Sequence, residues 1–282
     1  MTPGLGFALG AMACFGAGDL IYKRAAAGGI QSRHFAMLQA WVFCPGVTAY
    51  AWLTGTLDLH ASALWGSLAG AFLLIAVYNF LESLKSGTVS TNAPIFRLNF
   101  TLTAALAIVL LGETLTIAKL AALVCALGAV WLLLADPGAP QARSDVKSLS
   151  RVLIATVAMA FANFFHKVGL LQGALPETMV STQAWVFCLL ATLIGLVGDR
   201  GYRAPSRAWS YAAPAAVLLV AGFVLLLYGL AVGPASVLVP VAQMSFVFTA
   251  LLGALMFHEA LNAKKRIGLV VAIAALALFA IS

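Results

Sequence analysis

An arginine sits inside an apolar run where a charge is costly. Arg97 lies about nine residues into the stretch 88–112, roughly 13 Å from its start at the rise of an α-helix. An ionisable group at that depth in lipid costs upward of about 2.5 kcal/mol and marks a functional position by default. Its planar fork of donors suits a carboxylate or a phosphate, so one chemistry here is the gripping of an anionic or zwitterionic molecule. The other is a fixed ion pair with Glu82, near the end of the preceding run. Asp19 and Lys23 are four residues apart and could pair near the membrane surface. A carboxylate in a dry site can also carry a proton, which makes Asp19 and Glu82 the two candidate proton carriers.

Around Arg97 the polar residues fall in helical spacing. Tyr78 and Glu82 share a face in one run, and Asn92, Phe96, Asn99 and Thr103 follow a four, three, four pattern in the next. In hydrocarbon such a stripe must face protein or a wet cavity. A cavity wall is the expectation, and hydrogen bonding between helices is the alternative. Trp41 and Trp185 either stack on a ligand or pack the bundle. Glu113 and Glu259 follow apolar runs and are expected to cap the next helix. Pro94 and Pro240 each remove a backbone donor within a run and permit a bend. The four histidines are scattered and the four cysteines lie in apolar runs without CxxC spacing, so no metal site and no cofactor is expected.

The elements that must position these residues are membrane spans. The 282-residue chain is 63% hydrophobic and 9% charged, with a mean hydropathy of +1.02, far from the soluble average. A bilayer core needs roughly 20 apolar residues per helix. Ten such stretches occur, near 4–23, 33–54, 63–84, 88–112, 115–135, 150–168, 178–197, 208–230, 234–257 and 264–281. No Lys or Arg precedes the first, so it is expected to remain in the mature protein. The polar segment 137–149 reads as a linker between a first unit, 1–136, and a second, 150–282.

The second unit repeats the first. Gln39-Ala-Trp-Val-Phe-Cys44 returns letter for letter as Gln183-Ala-Trp-Val-Phe-Cys188. At offsets of 144 to 146 residues Lys23 meets Lys167, Pro94 meets Pro240, Phe100 meets Phe246 and Glu113 meets Glu259. Tyr228 is the mate of Glu82, Asn163 of Asp19, and Gln243 of Arg97, so both the acid and the arginine belong to one copy only. Five spans per copy is an odd number, and the second copy is therefore expected to run upside down relative to the first, an arrangement of secondary transporters.

Lys and Arg set the orientation. Lys23, Arg24, Arg33, Lys85, Arg143, Lys147, Arg151, Arg200, Arg203, Arg207, Lys264, Lys265 and Arg266 follow odd-numbered spans, against Lys119 and Lys167 on the other side. The odd loops are expected in the cytoplasm and both termini outside. This bias also accounts for the net charge of +7 without a nucleic-acid partner, for which no basic face with interleaved aromatics exists.

Helices 4 and 5 read Asn92-Ala-Pro-Ile-Phe96, then Leu111-Gly-Glu-Thr-Leu-Thr116, then an apolar span holding Gly128. Helices 9 and 10 repeat the scheme with Leu238-Val-Pro-Val-Ala242, Phe257-His-Glu-Ala-Leu261 and Gly268. This resembles the EamA-type transporters of the drug/metabolite transporter superfamily. The resemblance implies an all-α membrane protein, ten transmembrane helices in two inverted five-helix repeats around a central cavity, with alternating access. It differs from the usual pattern in its charge-derived orientation, since such transporters mostly keep both termini in the cytoplasm, and in His258, which replaces the glycine before the second glutamate.

The expectation is a secondary transporter of a small polar organic molecule in the plasma or bacterial inner membrane, as monomer or homodimer, with protons as the coupling ion. Its cavity is expected to draw on Tyr78, Glu82, Asn92, Phe96, Arg97, Asn99, Trp41, Trp185, Tyr228 and Gln243. A proton-coupled exporter of cationic compounds is the alternative. No HExxH, GxSxG or nucleotide-phosphate loop occurs, which disfavours an enzyme or an ATP-driven pump.

Overall fold

The computed structural model describes residues 2–30, 32–84, 89–134, 146–198, 206–257 and 263–282. Among these, every regular element is a helix. The first half holds α1 (Leu5–Ala27), α2 (Ser32–Leu53), α3 (Leu64–Ser83), α4 (Val89–Arg97), α5 (Asn99–Leu111) and α6 (Ile117–Leu134). The second holds α7 (Val146–Leu171), α8 (Pro176–Gly198), α9 (Trp209–Val232), α10 (Ala235–Gln243), α11 (Ser245–Phe257) and α12 (Ala263–Ile281). α7 opens at Val146, inside the stretch read as linker. Glu259 and His258, Lys85 and Arg143, and Arg200 and Arg203 fall outside the described residues.

Each half has six helices where five spans were expected, because the fourth span of each breaks in two. Among the described residues, eight stretches are long and apolar enough to cross a membrane, Thr91–Leu111 and Ala235–Leu252 being the two that run through the breaks. Helices α2 and α12, of 22 and 19 residues, have the length but not the apolarity: α2 carries Gln39 and Pro45, and α12 opens on Lys264, Lys265 and Arg266. The predicted count of ten is thus met for eight.

Packing runs chiefly between the halves rather than within them: α1 lies along α9, α3 along α7, α2 across α8, and α6 along α12. The pairs are antiparallel. Trp65 and Phe72 of α3 stack on Phe165 and Phe161 of α7, at 5.6 and 5.5 Å between centroids, while Asn79 further along α3 meets Arg151 near the start of α7. At the crossing of α2 and α8, Trp185 Nε1 donates to Thr48 Oγ1 at 3.0 Å, and Cys44 reaches its repeat mate Cys188. Exchanging the halves maps α1–α9 onto α3–α7 and sends α2–α8 onto itself, which is a twofold relation.

Small residues permit this closeness. A methyl group at Gly66 or Gly70 of α3 would stand 2.5 Å from the carbonyl oxygen of Met179 or Gln183 in α8. Because Cys44 and Cys188 are both buried at the crossing, oxidation with iodine is expected to join them. The check is an intact-mass loss of two hydrogens that vanishes in Cys44→Ser. A crossing elsewhere along the helices would leave four thiols.

Candidate functional site

The two helix breaks are the starting point. Pro94 and Pro240 have no N–H to give to the preceding turn, and the ladder slips a few residues later in both copies. Past Leu98, the Thr101 N–H bonds the Leu98 carbonyl at 3.1 Å. Past Met244, the Val247 N–H bonds the Met244 carbonyl at 2.9 Å. The carbonyl of Gln243 is released from the helix and points to a donor outside it.

That donor is Arg97. Its Nη1 bonds the Gln243 carbonyl at 3.1 Å and the Gln243 Oε1 at 3.0 Å. These two residues are repeat mates, so they meet at the twofold relation itself. The other arm of the fork, Nη2, stands 3.8 Å from Asp19 Oδ2, and the guanidinium lies 5.8 Å from the Phe246 ring centre. Asp19 Oδ2 also accepts from Ser245 Oγ at 3.4 Å and Thr249 Oγ1 at 3.3 Å. Gly16, one turn before Asp19, brings α1 against α11: a methyl there would be 2.8 Å from the Ser245 carbonyl. One arm of Arg97 is therefore anchored and the other is loosely held, with side-chain exposures of 20% for Arg97 and 40% for Asp19.

This corrects the pairing read for Arg97. The carboxylate set against Arg97 is that of Asp19, where Glu82 was the candidate, because the antiparallel packing carries α1 to the junction of α4 with α10. Asp19 also meets Ser245 and Thr249 of the second half; the Lys23 side chain falls outside what is described.

The polar stripe is mostly glue. Asn92, fully buried, donates through Nδ2 to the Ser83 carbonyl, Ser83 Oγ and Ser148 Oγ, each at 3.0 Å, tying α4 to α3 and α7. Asn99 folds back on the Phe96 carbonyl at 2.7 Å, and Thr103 on the Asn99 carbonyl at 2.9 Å. Of the two alternatives, Asn92 takes the interhelical bonding, while Asn99 and Thr103 bond the backbone of the turn before them. Phe96 stacks on Phe80 at 4.5 Å. Tyr78 and Asn79 engage Arg151, at 6.0 Å to the ring and 2.7 Å to Oδ1, away from Arg97. Trp41 and Trp185 are both about half exposed, and the Trp185 indole bonds Thr48 at the crossing of α2 and α8.

Sequence reasoning missed a space that the repeat itself builds. A cavity of ≈ 210 Å³ is lined by Gln39 with its mate Gln183, Ala40 with Ala184, and Phe43 with Phe187; Leu73 and Leu219, Val77 and Phe223 close it as further mates. Tyr22 donates to Gln39 Oε1 on one side, and His166, the mate of Tyr22, holds Gln183 Oε1 on the other. The signal was the first and fifth letters of the duplicated hexapeptide. A second space, ≈ 560 Å³, lies between α1, α2 and α9 and includes Phe7, Tyr50 and Tyr228; Tyr228 donates to the buried Glu177.

Glu113 departs from its expected role. Gly112, at φ 70°, turns the chain out of α5, but the glutamate does not serve the following helix. Its two oxygens accept from the N–H groups of Ala235 and Ser236 at 2.7 and 2.8 Å, capping α10 in the other half. The residue before α10 is Pro234, which has no capping side chain, so the acid is supplied from across the fold. Lys167 secures the same corner through the carbonyls of Leu230 and Gly233, both at 2.7 Å. Glu113→Ala is expected to lower stability by about 1–2 kcal/mol, read as a drop in the melting midpoint that Glu113→Gln, which keeps one acceptor oxygen, reproduces only in part.

Comparison with known proteins gives the following. The family model described as the EamA-like transporter family matches residues 2–135 and again 147–281. No curated protein sequence matches the chain. A solved structure described only as the crystal structure of a protein superposes with a TM-score of 0.79 at 15% identity, over 96% of this chain and 94% of that one, which is a likeness of fold.

Proposed function

The chain belongs to the EamA-like transporter family, and from that premise we propose that it moves a small polar organic molecule, one bearing a carboxylate, by alternating access between two inverted repeats. The antiparallel crossing of α2 on α8 and the reciprocal pairing of α1–α9 with α3–α7 support an axis lying in the membrane plane. The Lys and Arg bias favours odd loops in the cytoplasm of a bacterial cell, with the termini outside.

One observation carries the cargo reading: Arg97 keeps Nη1 on Gln243 while Nη2 faces Asp19 at 3.8 Å, longer than a charge-assisted hydrogen bond. A cargo carboxylate takes Nη2 in place of Asp19, and the displaced Asp19 accepts a proton at Oδ2, where Ser245 and Thr249 stand. Release reverses both events and returns the proton. Pro94 and Pro240 supply the bend points that let α4–α5 and α10–α11 rock about this contact. Exchange of one anion for another keeps binding modest, as transport requires.

A second reading has its own observation. The ≈ 560 Å³ space is lined by Phe7, Tyr50 and Tyr228, the last of which donates to the buried Glu177 behind it, an aromatic setting that suits an organic cation. A thermal-shift screen of amino acids, organic acids, nucleosides and cationic compounds against purified protein, followed by flux in proteoliposomes, separates the two. Stabilisation by anions or zwitterions supports the first reading; stabilisation confined to cations overturns it.

A further inference from the structure

The two copies carry one chemistry to the crossing of α2 and α8, yet they do not use it alike. Thr48 and Thr192 are repeat mates, and each turns its hydroxyl back on its own helix: Thr48 Oγ1 donates to the Cys44 carbonyl at 2.8 Å, and Thr192 Oγ1 to the Cys188 carbonyl at 2.7 Å. Each oxygen keeps lone pairs for a donor from the facing helix. Trp185 Nε1 takes up the first, at 3.0 Å. Its mate Trp41 makes no such bond to Thr192 among the described residues, although it lies near the middle of α2, where hydrocarbon offers an indole N–H no other acceptor. Identical letters, bonded in one copy and not in the other, mark a bundle held in one of two arrangements.

The neighbours of α2 and α8 differ in the same sense. Gly46 and Tyr50, on the face of α2 turned away from Thr48, line the ≈ 560 Å³ space together with Ala216 and Val220 of α9. The mates of those two α9 residues are Gly70 and Leu74 of α3, and there the helices are shut, with a methyl at Gly70 only 2.5 Å from the Gln183 carbonyl oxygen of α8. So α2 leans on α8 and stands off α9, while α8 leans on α3.

We propose that Trp185 and Trp41 are alternating latches of one seesaw. In this facing Trp185 holds Thr48, and the cleft between α2 and α9 stands open. In the opposite facing Trp41 donates to Thr192, α8 leaves α3 for α2, and an equivalent cleft opens between α3 and α8. Exchange of the halves turns the first arrangement into the second. The contact of Cys44 with Cys188 lies between the latches and maps onto itself, which makes it the pivot. The proposal rests on the alternating access put forward above, not on the identity of the cargo.

The test uses the full chain in nanodiscs, with the four native cysteines changed to alanine and one reporter thiol, Val220→Cys or Leu74→Cys, timed against a water-soluble methanethiosulfonate. With both tryptophans in place, Val220→Cys is expected to react faster than Leu74→Cys. Trp185→Phe removes the latch of the present facing and is expected to raise the Leu74→Cys rate about two- to tenfold, the worth of one hydrogen bond. Trp41→Phe is expected to lower it by a similar factor. Should either variant fold poorly, Thr48→Val and Thr192→Val remove the same bonds from the acceptor side and are expected to carry the same signs. Opposite signs are the signature, since loss of mere packing would loosen the bundle alike in both variants. Changes of one sign, no change, or a Leu74→Cys rate that already matches that of Val220→Cys overturn the proposal. A failure of anions and zwitterions to stabilise the protein would strike the carboxylate reading alone and leave these rates standing.

Discussion

Arg97→Ala is expected to abolish flux of a carboxylate-bearing cargo and to destabilise the fold by about 1–3 kcal/mol, the scale for leaving hydrogen-bond acceptors of a charged donor unsatisfied. Two hydrogen bonds to Gln243 are lost and Asp19 is left without its cation. The Asp19 share is the smaller one, because its side chain is 40% exposed and solvent screens what it loses. Arg97→Lys tests the division of labour. A lysine restores a charge opposite Asp19 but cannot span both Gln243 acceptors and a carboxylate with a planar fork, so it is expected to recover part of the stability and none of the flux. In a double-mutant cycle with Asp19→Asn, coupling of 0.5 kcal/mol or more is expected. Additive effects would mean that the pair is incidental, and flux surviving in Arg97→Ala would remove the arginine from cargo recognition.

Gly70→Ala is expected to force α3 off α8. The added carbon would sit 2.5 Å from the Gln183 carbonyl oxygen and 3.0 Å from its Cα. Backbone faces it, so nothing can swing aside, and α3 must move off α8. Overpacking of this kind costs about 1–3 kcal/mol, more than the helix propensity gained over glycine, about 1 kcal/mol. Gly128→Ala is the contrast. Its methyl would meet only Val271 at 3.7 Å, ordinary contact, so the propensity term dominates and the midpoint should rise. Gly222→Ala falls between, since the group in the way is the Phe15 ring, the end of a movable side chain. Melting curves of the three variants give the order; Gly128→Ala falling as far as Gly70→Ala would refute the packing account.

The membrane class, the duplication and the special status of Arg97 were legible because each leaves a local mark: apolar length, a repeated word, a charge in the wrong solvent. The partner of Arg97 was not. Spacing along one helix suggested Glu82, but the carboxylate that faces it is Asp19, 78 positions earlier in the chain, brought in by the antiparallel lie of α1 against the second half. Asn92, Asn99 and Thr103 show a different limit. Their periodicity put them on one helical face, yet the helix breaks between Arg97 and Asn99, and periodicity says only that a face is polar, not whether it bonds to neighbouring backbone or to water. Glu113 was placed rightly at a helix start, but the helix it caps is α10, and no local pattern could say so. The axial cavity was visible in principle, since a duplicated segment lying on a twofold relation must meet its own copy.

The distance in chain order between Arg97 and Gln243 bears on how the protein is made. The arginine leaves the ribosome 146 residues ahead of the glutamine, which at about 5–20 residues per second is roughly 7–30 seconds. Throughout that interval a nascent first half must shelter a guanidinium in lipid with its eventual mate still untranslated. Asp19, already inserted, faces Arg97 from the same half, so it serves as chaperone to the arginine before it serves as anything else.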